Sequence, residues 1–482
     1  MMAEPKDRTT AVAPTSYLRV DGASIVDGSG TPVRLQGHCL GGWMNMENFI
    51  TGYPATETLQ RRALLKALGP ETYEAFFDQF LTDFFSESDA AYLADLGTNA
   101  MRIPISYRHF ESDERPKVLI EAGLKWLDRA VDTLGARGTY SIIDLHAAPG
   151  FQNHHWHSDN PTHWPLFWEY ADFKDRAIWL WEVLADHYTG NGWVAGFNLL
   201  NEPADEDGYR LIAWYSETAR RVREIDPDRM LFLDGNRYST DFSMFTEPLP
   251  NTVYTAHDYV TAGLDPHAHY PSELDGRFAG SAKGDVYNKD TIHQQFLRRT
   301  AFMRDLGLPI WIGEFGPLYN GTPQQAEERY QLLQDQLEIY RDYQASWALW
   351  LYKDIGLQGV VFAAADSPYM ALLTDFLAKK QRLGADSWGG TDEHIREVVG
   401  PLESLLAREF PDFNPYPWGA QKWAARLLRH ILISEALIPE FAERFRGITP
   451  AEARQLARSF RWESCTRRLG LEQTLRVQLA KG

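Results

Sequence analysis

Residues 194–203 read VAGFNLLNEP, a short apolar run that ends in an asparagine, a glutamate and a proline. A continuous apolar run of this length is typical of a strand buried on both faces. Eight such runs occur along the chain, at 33–37, 100–104, 140–145, 194–200, 230–233, 253–256, 310–313 and 346–351. Amphipathic stretches of helical period, such as 124–134 and 209–225, lie between most of them. Alternating strands and helices predict a parallel sheet, and eight repeats favour closure into a (β/α)8 TIM barrel.

The alternation of strands and helices ends near residue 385. Before the first run, the sequence alternates apolar and polar residues around Asp27-Gly28, which predicts a short hairpin. From residue 386 the pattern indicates helices only, and Thr449-Pro450 begins one of them with the signature of a capping box. We therefore predict a barrel with its N-terminal hairpin over residues 1–385 and a helical extension packed on the barrel over residues 386–482.

Composition narrows the classes of partner and the compartment. The 482 residues include 48 Lys and Arg against 66 Asp and Glu, a net charge of -18 that disfavours nucleic acids and anionic membranes. No apolar run is long enough to span a bilayer, and the N-terminus shows no signal-peptide pattern. The two cysteines, Cys39 and Cys465, fit a reducing compartment. We expect a cytoplasmic protein that does not insert into membranes.

Side chains capable of chemistry stand at the ends of six of the eight runs. In a parallel barrel the carboxyl ends of the strands converge on one face, where active sites lie. A single glutamate after a strand is usually a loop residue or a helix cap, but six such positions together are difficult to explain by packing. The residues at these positions are Arg102, His146, Asn201, Glu202, His257, Tyr259, Glu314 and Trp350.

Two of these residues, Glu202 and Glu314, suit the cleavage of a glycosidic bond. One carboxyl must be protonated to release the leaving group, and the other must be ionised. A separation of about 5–5.5 Å gives the retaining, double-displacement route, whereas about 6.5–9.5 Å leaves room for water and inversion. The residues alone leave this choice open. A non-catalytic sugar-binding barrel is disfavoured because a binding protein has no need of both carboxylates.

Three motifs give the chain a resemblance to a known family. Residues 200–203 (LNEP), 313–316 (GEFG) and 144–150 (DLHAAPG) resemble the strand-four, strand-seven and strand-three motifs of the family 5 glycoside hydrolases. The match extends from about residue 33 to residue 354. The resemblance implies a retaining (β/α)8-barrel enzyme that acts on sugars without a cofactor. It makes Glu202 the general acid/base and Glu314 the nucleophile.

The other strand-end residues then receive supporting roles. Arg102 and Tyr259 are suited to hold the nucleophile ionised and oriented, and Asn201 is suited to bind the sugar 2-hydroxyl. Trp350 matches the floor of the first sugar subsite. The histidines His146 and His257 are expected to orient other groups. Glu202 needs a raised pKa, which burial and the negative charge of Glu314 can supply.

The loop after the first run bears on where the substrate is cut. Residues 40–47 (LGGWMNME) resemble the corresponding loop of exo-acting members of the family, in which a glutamate binds the terminal sugar. We expect Trp43 and Glu47 to contact substrate, and we expect exo-action on short β-linked oligosaccharides or glycosides. The alternative is an endo-acting polysaccharide or glycolipid hydrolase.

A histidine-rich segment offers a different chemistry, that of a metal-dependent hydrolase on the same barrel. It contains His146, His154, His155, His157 and His163. The segment lacks HExxH and paired Cys/His spacing, which are typical of zinc sites. Its interleaved Trp156, Trp164 and Trp168 suit a loop that lines a sugar site. We therefore predict no metal.

Overall fold

A computed structural model describes residues 16–275, 283–386 and 388–481. Eight parallel strands form a closed barrel in which neighbours follow chain order and the eighth strand pairs with the first. This confirms the predicted (β/α)8 fold. The first to eighth barrel strands are Gln36–Cys39, Ala100–Ser106, Tyr140–Ala147, Val194–Asn198, Met230–Asp234, Thr252–His257, Ile310–Glu314 and Ser346–Leu349.

The first barrel strand differs most from its predicted run. It begins at Gln36, three residues after the start of the run at 33–37. The backbone N–H of Val33 donates instead to the carbonyl of Ile25, so this residue still belongs to the N-terminal hairpin region. The other seven strands begin within one residue of the predicted runs, because these strands are mostly apolar and almost wholly buried.

The N-terminal hairpin is centred earlier than predicted. Strands Arg19–Asp21 and Ser24–Val26 pair antiparallel around Gly22, whose φ of 57° is readily adopted by glycine. Asp27 lies in the next reversal of the chain, where its carboxylate accepts hydrogen bonds from the backbone N–H groups of Ser29 and Thr31. These hydrogen bonds to the aspartate favour a loop there, and Val26 and Pro32, on the two sides of the loop, form an isolated antiparallel bridge.

Helices alternate with the barrel strands along the chain. The predicted helix at 124–134 is confirmed as Glu121–Gly135, which buries Leu124, Leu127, Val131 and Leu134 at helical spacing. The helices up to residue 382 are Asn48–Thr51, Glu57–Leu68, Pro70–Phe84, Glu87–Leu96, Glu121–Gly135, Ala171–Tyr188, Tyr209–Ile225, Thr261–Leu264, Lys289–Arg299, Ala301–Asp305, Pro323–Asp342 and Pro368–Arg382. Two further strands, Ser272–Asp275 and Lys283–Tyr287, form a ribbon before the seventh barrel strand.

The C-terminal part is mostly but not entirely helical. Its helices are Arg396–Glu409, Ala420–Arg426, Ser434–Glu443, Pro450–Ala457 and Leu469–Leu479, with a π-helical segment at Leu427–Ile433. The capping box at Thr449 is present, because its hydroxyl accepts from the N–H of Glu452 and its own N–H donates to the Glu452 carboxylate. The expectation of helices only is wrong at Cys465–Arg467, which pairs with Val361–Ala363. A three-residue strand is too short to show a periodic pattern.

One hydrophobic core joins the barrel to the C-terminal helices. Phe460 packs against Phe80 and Phe84, with ring centroids 5.2 and 5.6 Å apart. The division of the chain at residue 385 stays a prediction. Both cysteines are free thiols. None of the helices in the described ranges combines the length and the apolar character that crossing a bilayer requires.

Candidate active site

The centre of the site is a pair of buried carboxyl groups. Glu314 is the last residue of the seventh barrel strand, and Glu202 follows the fourth. A carboxyl oxygen of each, together with a ring nitrogen of His257, lie within 4.8 Å of one another. Glu202 is only 8% exposed and Glu314 only 4% exposed. The barrel thus brings together two acids that are 112 positions apart in the sequence.

Glu314 has a cationic partner. Arg102 Nη1 lies 2.6 Å from its Oε1, and the Tyr259 hydroxyl donates to its Oε2 at 2.9 Å. Burial raises the pKa of Glu314 to about 7, although the charge of Arg102 and the hydrogen bond from Tyr259 act to lower it. The direct ion pair makes Glu314 the carboxyl of the two that ionises first.

Glu202 has no such cation in hydrogen-bond contact. His257 Nδ1 lies 2.7 Å from its Oε1, and His157 Nε2 lies 3.2 Å from its Oε2. Burial raises the pKa of Glu202 well above its usual range, and the charges of Glu314 and Asp234 raise it further. Burial also lowers the pKa of both histidines well below the usual range. At neutral pH the pair therefore carries a proton on Glu202, as a general acid requires.

The backbone at Glu202 is strained and held in place. Its φ of 44° is uncommon for a residue with a side chain. The N–H donates to Asp234 Oδ2 at 2.9 Å, and the carbonyl accepts from Asn153 Nδ2 at 2.9 Å. These two hydrogen bonds hold the backbone of Glu202 in a conformation that the loop would not keep without them.

Arg102 is the centre of a buried polar network on the barrel axis. In addition to Glu314 it contacts Asn198 Oδ1 at 3.0 Å, Asn201 Oδ1 at 2.7 Å and Asp144 Oδ2 at 3.1 Å. Sequence reasoning missed Asn198 and also Asp234, which ends the fifth strand. Both occupy the same strand-end position as the predicted residues, so the rule that found those residues would have found these two as well.

Trp350, His146 and Glu47 form one side of the site. The imidazole of His146 stacks on Trp350 with centroids 5.3 Å apart and an interplanar angle of 10°. His146 Nδ1 lies 2.7 Å from Asp144 Oδ2, and its Nε2 lies 3.4 Å from Glu47 Oε1. A side chain at Gly41 would come within 2.7 Å of the Trp350 ring, which explains the glycine there. The structure therefore brings Glu47 to the site.

Trp43 does not lie at the site, contrary to the expectation that it contacts substrate. Its indole is fully buried, with Nε1 donating to the carbonyl of Leu81 at 2.9 Å and the ring packed near Phe85. The Trp43 indole and its N–H group therefore make these contacts within the core. Other residues of the loop at 40–47 do reach the surroundings of the carboxyl pair: Glu47 contacts His146, and Asn45 donates to the carbonyl of His157.

The five histidines of the histidine-rich segment do not meet at one point. His146 stacks on Trp350 and His157 contacts Glu202, whereas His154 and His163 lie near Trp418, and His155 lies near His430. Within the described ranges, the one group with the spacing of metal ligands is Glu202, His257 and Glu314. A metal ion there would need the same two carboxylates that the glycosidase chemistry uses.

Of the three tryptophans expected to line this loop, Trp164 is 52% exposed, whereas Trp156 and Trp168 are buried. The Trp168 Nε1 donates to the carbonyl of Gln152, which gives this side chain a structural contact.

Comparison with known proteins agrees with this geometry. The family described as Cellulase (glycosyl hydrolase family 5) matches residues 70–356. A beta-xylosidase of Phanerodontia chrysosporium is 46% identical over 477 residues, which cover 95% of this chain and 98% of that protein. A probable glucan 1,3-beta-glucosidase A of Neosartorya fischeri is 26% identical over 381 residues, covering 72% and 88%.

Among solved structures, a crystal structure of a glycoside hydrolase matches with a TM-score of 0.51 and 21% identity, covering 67% of this chain and 90% of that one. This likeness shows the fold. The family match spans more than half of the chain, and the resemblance of the three motifs is thereby confirmed. The chain belongs to glycosyl hydrolase family 5 and is a glycoside hydrolase.

Proposed function

We propose that the chain is a retaining exo-β-glycosidase that releases single sugars from short substrates, with xylose as the first candidate sugar. The observation that supports retention is the carboxyl pair, whose oxygens lie within 4.8 Å. That spacing is close to the range of about 5–5.5 Å for double displacement, and it leaves no room for an inverting water between the acids. The sugar is proposed from the name of the relative with 46% identity.

The two carboxyls divide the chemistry by their environments. Glu314, paired with Arg102, attacks the anomeric carbon while Glu202 gives its proton to the departing glycosidic oxygen. The resulting glycosyl ester removes the charge of Glu314, so the pKa of Glu202 falls. Glu202 then takes a proton from water, which attacks the same carbon and releases Glu314. Asn201, held by Arg102, is placed to bind the sugar 2-hydroxyl.

The stereochemical course tests this proposal. We expect 4-nitrophenyl β-xyloside to yield β-xylose as the first-formed product in proton NMR, because two inversions at one carbon restore its configuration. A matched set of β-glucoside, β-mannoside and β-galactoside identifies the preferred sugar.

The reaction is repeated with a chelator, and unchanged rates are expected. First-formed α-sugar would contradict retention, and loss of activity in chelator would support the metal-dependent alternative.

Exo-action is proposed because Glu47 contacts His146, which stacks on Trp350, the expected floor of the first sugar subsite. Its carboxyl is buried and within 3.4 Å of His146, and a charged wall of this kind suits a terminal hydroxyl better than a continuing chain. We expect Glu47→Ala to raise the barrier for small glycosides by about 1–3 kcal/mol, measured as kcat/KM. Glu71→Ala, at an exposed glutamate, is the control and should change nothing.

The product distribution from an oligosaccharide at low conversion provides the second measurement. Monosaccharide alone is expected at early times. Internal fragments of mixed length would mean that the enzyme is endo-acting, and the role proposed for Glu47 would then be wrong.

A further inference from the structure

A segment of the C-terminal part, residues 416–430, lies against the loops that surround Glu202. Trp418 stacks on Tyr238, with centroids 5.1 Å apart and an angle of 26°. The guanidinium carbon of Arg426 lies 3.5 Å from the centre of the Trp418 ring. Arg237, next to Tyr238, donates to the carbonyl of Pro417 at 2.9 Å. Arg237 and Tyr238 both lie in the loop after the fifth barrel strand, close to the catalytic face.

The backbone of that loop is itself unusual. Arg237, Tyr238 and Ser239 have φ values of 52°, 61° and 58°, three consecutive left-handed residues none of which is glycine. Strained backbone of this kind persists where surrounding contacts hold it, and it is common at ligand sites. Here the strained turn holds the Tyr238 ring on which Trp418 stacks.

Segment 416–430 and residues 153–163 of the histidine-rich segment share a group of buried polar atoms without partners. Within the described part of the chain, seven such atoms lack a hydrogen-bond partner. They are His154 Nδ1, His155 Nδ1, His163 Nε2, Trp423 Nε1, Arg426 Nη1, His430 Nδ1 and His430 Nε2. Buried polar groups are nearly always satisfied, so such a concentration indicates atoms that are satisfied by something other than this chain.

The residues form one cluster rather than scattered defects. His155 and Trp156 lie 5.3 and 4.3 Å from His430 between ring centroids, and His163 lies 5.7 Å from both Trp418 and Trp423. The whole cluster is thus made by two segments more than 250 positions apart.

The chemistry of the cluster matches hydroxyl groups. Burial lowers the pKa of His154 to about 4 and of His163 to about 3, and the pKa values of His155 and His430 lie well below their usual range. A neutral imidazole offers one donor and one acceptor, as a hydroxyl does. The indole and guanidinium N–H groups add donors, and the flat rings suit the C–H faces of a sugar.

The cluster lies on the proton-donating side of the carboxyl pair. His157, within the histidine-rich segment, contacts Glu202 Oε2, whereas Glu202 Oε1 lies 2.7 Å from His257 Nδ1, which is itself 3.7 Å from Glu314 Oε2. The charge of Arg426 also acts on Glu202. In the proposed reaction Glu202 protonates the oxygen that joins the two sugars, so the space beyond Glu202 receives the leaving group.

We propose that segments 416–430 and 153–163 together form the binding site for the leaving-group sugar, a hydroxyl-bearing unit bound by Arg426, Trp423 and the neutral histidines, with Trp418 holding the Arg426 guanidinium in position. The proposal rests on the proposed function and adds a role for the C-terminal part of the chain. It makes the enzyme selective for a saccharide leaving group over a small alcohol.

Two substrates with the same non-reducing sugar test this assignment. A β-linked disaccharide fills the proposed site, whereas the methyl β-glycoside does not, and both need a proton from Glu202. Arg426→Met is expected to lower kcat/KM for the disaccharide by about 10- to 100-fold, the size of a lost charged hydrogen bond. The methyl glycoside has no second sugar to bind and should lose less, so the ratio of the two kcat/KM values should fall. Trp418→Phe should show the same selectivity with a smaller loss.

Arg446→Ala is the matched control, since this arginine of the same C-terminal part is exposed and pairs with Glu443. It should leave both substrates unchanged. Thermal unfolding of each variant shows whether the fold survives. Equal losses on both substrates would overturn the proposal, because Arg426 would then act through Glu202 or through stability. No loss on either substrate would also overturn it, and would leave ordered water as the partner of the buried atoms.

Failure of the proposed function is recognised separately. A wild-type enzyme that hydrolyses no β-glycoside contradicts the proposed function, but the binding site is still testable with free xylose and the unhydrolysed β-linked disaccharide. Quenching of tryptophan fluorescence by these sugars should be present in the wild type and weaker in both Trp418→Phe and Arg426→Met. Identical quenching in all three proteins would overturn the binding site itself.

Discussion

Glu314→Gln is expected to lower kcat by several orders of magnitude while the protein remains folded. The amide has nearly the shape of the carboxylate, so packing is retained: its oxygen can still accept from Arg102, and its NH2 group can donate to the hydroxyl of Tyr259. It has no nucleophilic charge, and the neighbouring acid, Glu202, is occupied as the proton donor. The measurement is the initial rate on an aryl β-glycoside, with thermal unfolding to confirm the fold.

Glu121→Gln provides the matched control for this variant, because Glu121 is an exposed glutamate at the start of a helix. The control should retain full activity. If Glu314→Gln also retained full activity, Glu314 would be removed from the mechanism. A variant that lost activity together with its unfolding transition would report on stability, and Glu314→Ala would then be measured beside it.

Glu202→Ala should produce a loss that depends on the leaving group. Substrates with poor leaving groups need the proton of Glu202 and should lose several orders of magnitude in kcat/KM. An aryl glycoside with an activated phenol departs without protonation, so its first step should be nearly unaffected. The measurement is a series of aryl glycosides of increasing phenol pKa, in which the variant should show a much steeper dependence than the wild type.

Azide adds an independent readout for the same variant. Without Glu202 no base activates water, so the glycosyl ester on Glu314 should accumulate. A small anionic nucleophile needs no base, and removal of the side chain leaves space beside His257 and His157. Added azide should therefore restore turnover and yield a glycosyl azide of β configuration. Equal losses across the series, with no azide product, would contradict the acid/base role of Glu202.

The sequence by itself determined the barrel and its principal site residues. Seven of the eight strands begin within one residue of their predicted runs, because a strand buried on both faces is apolar at most of its positions. Closure of a parallel barrel then places every strand end on one face, so Arg102, Glu202, Tyr259 and Glu314 meet without any knowledge of loop structure. The same rule extends to Asn198 and Asp234.

Only the tertiary structure decided what the loops and the C-terminal part do. Trp43 and Glu47 lie four positions apart in one loop, yet one is in the core and the other beside His146. Local sequence does not determine which way such side chains face, because that depends on helices packed from elsewhere. The contacts of the histidine-rich segment with segment 416–430 likewise join residues more than 250 positions apart, and no local pattern in either segment indicates its partner.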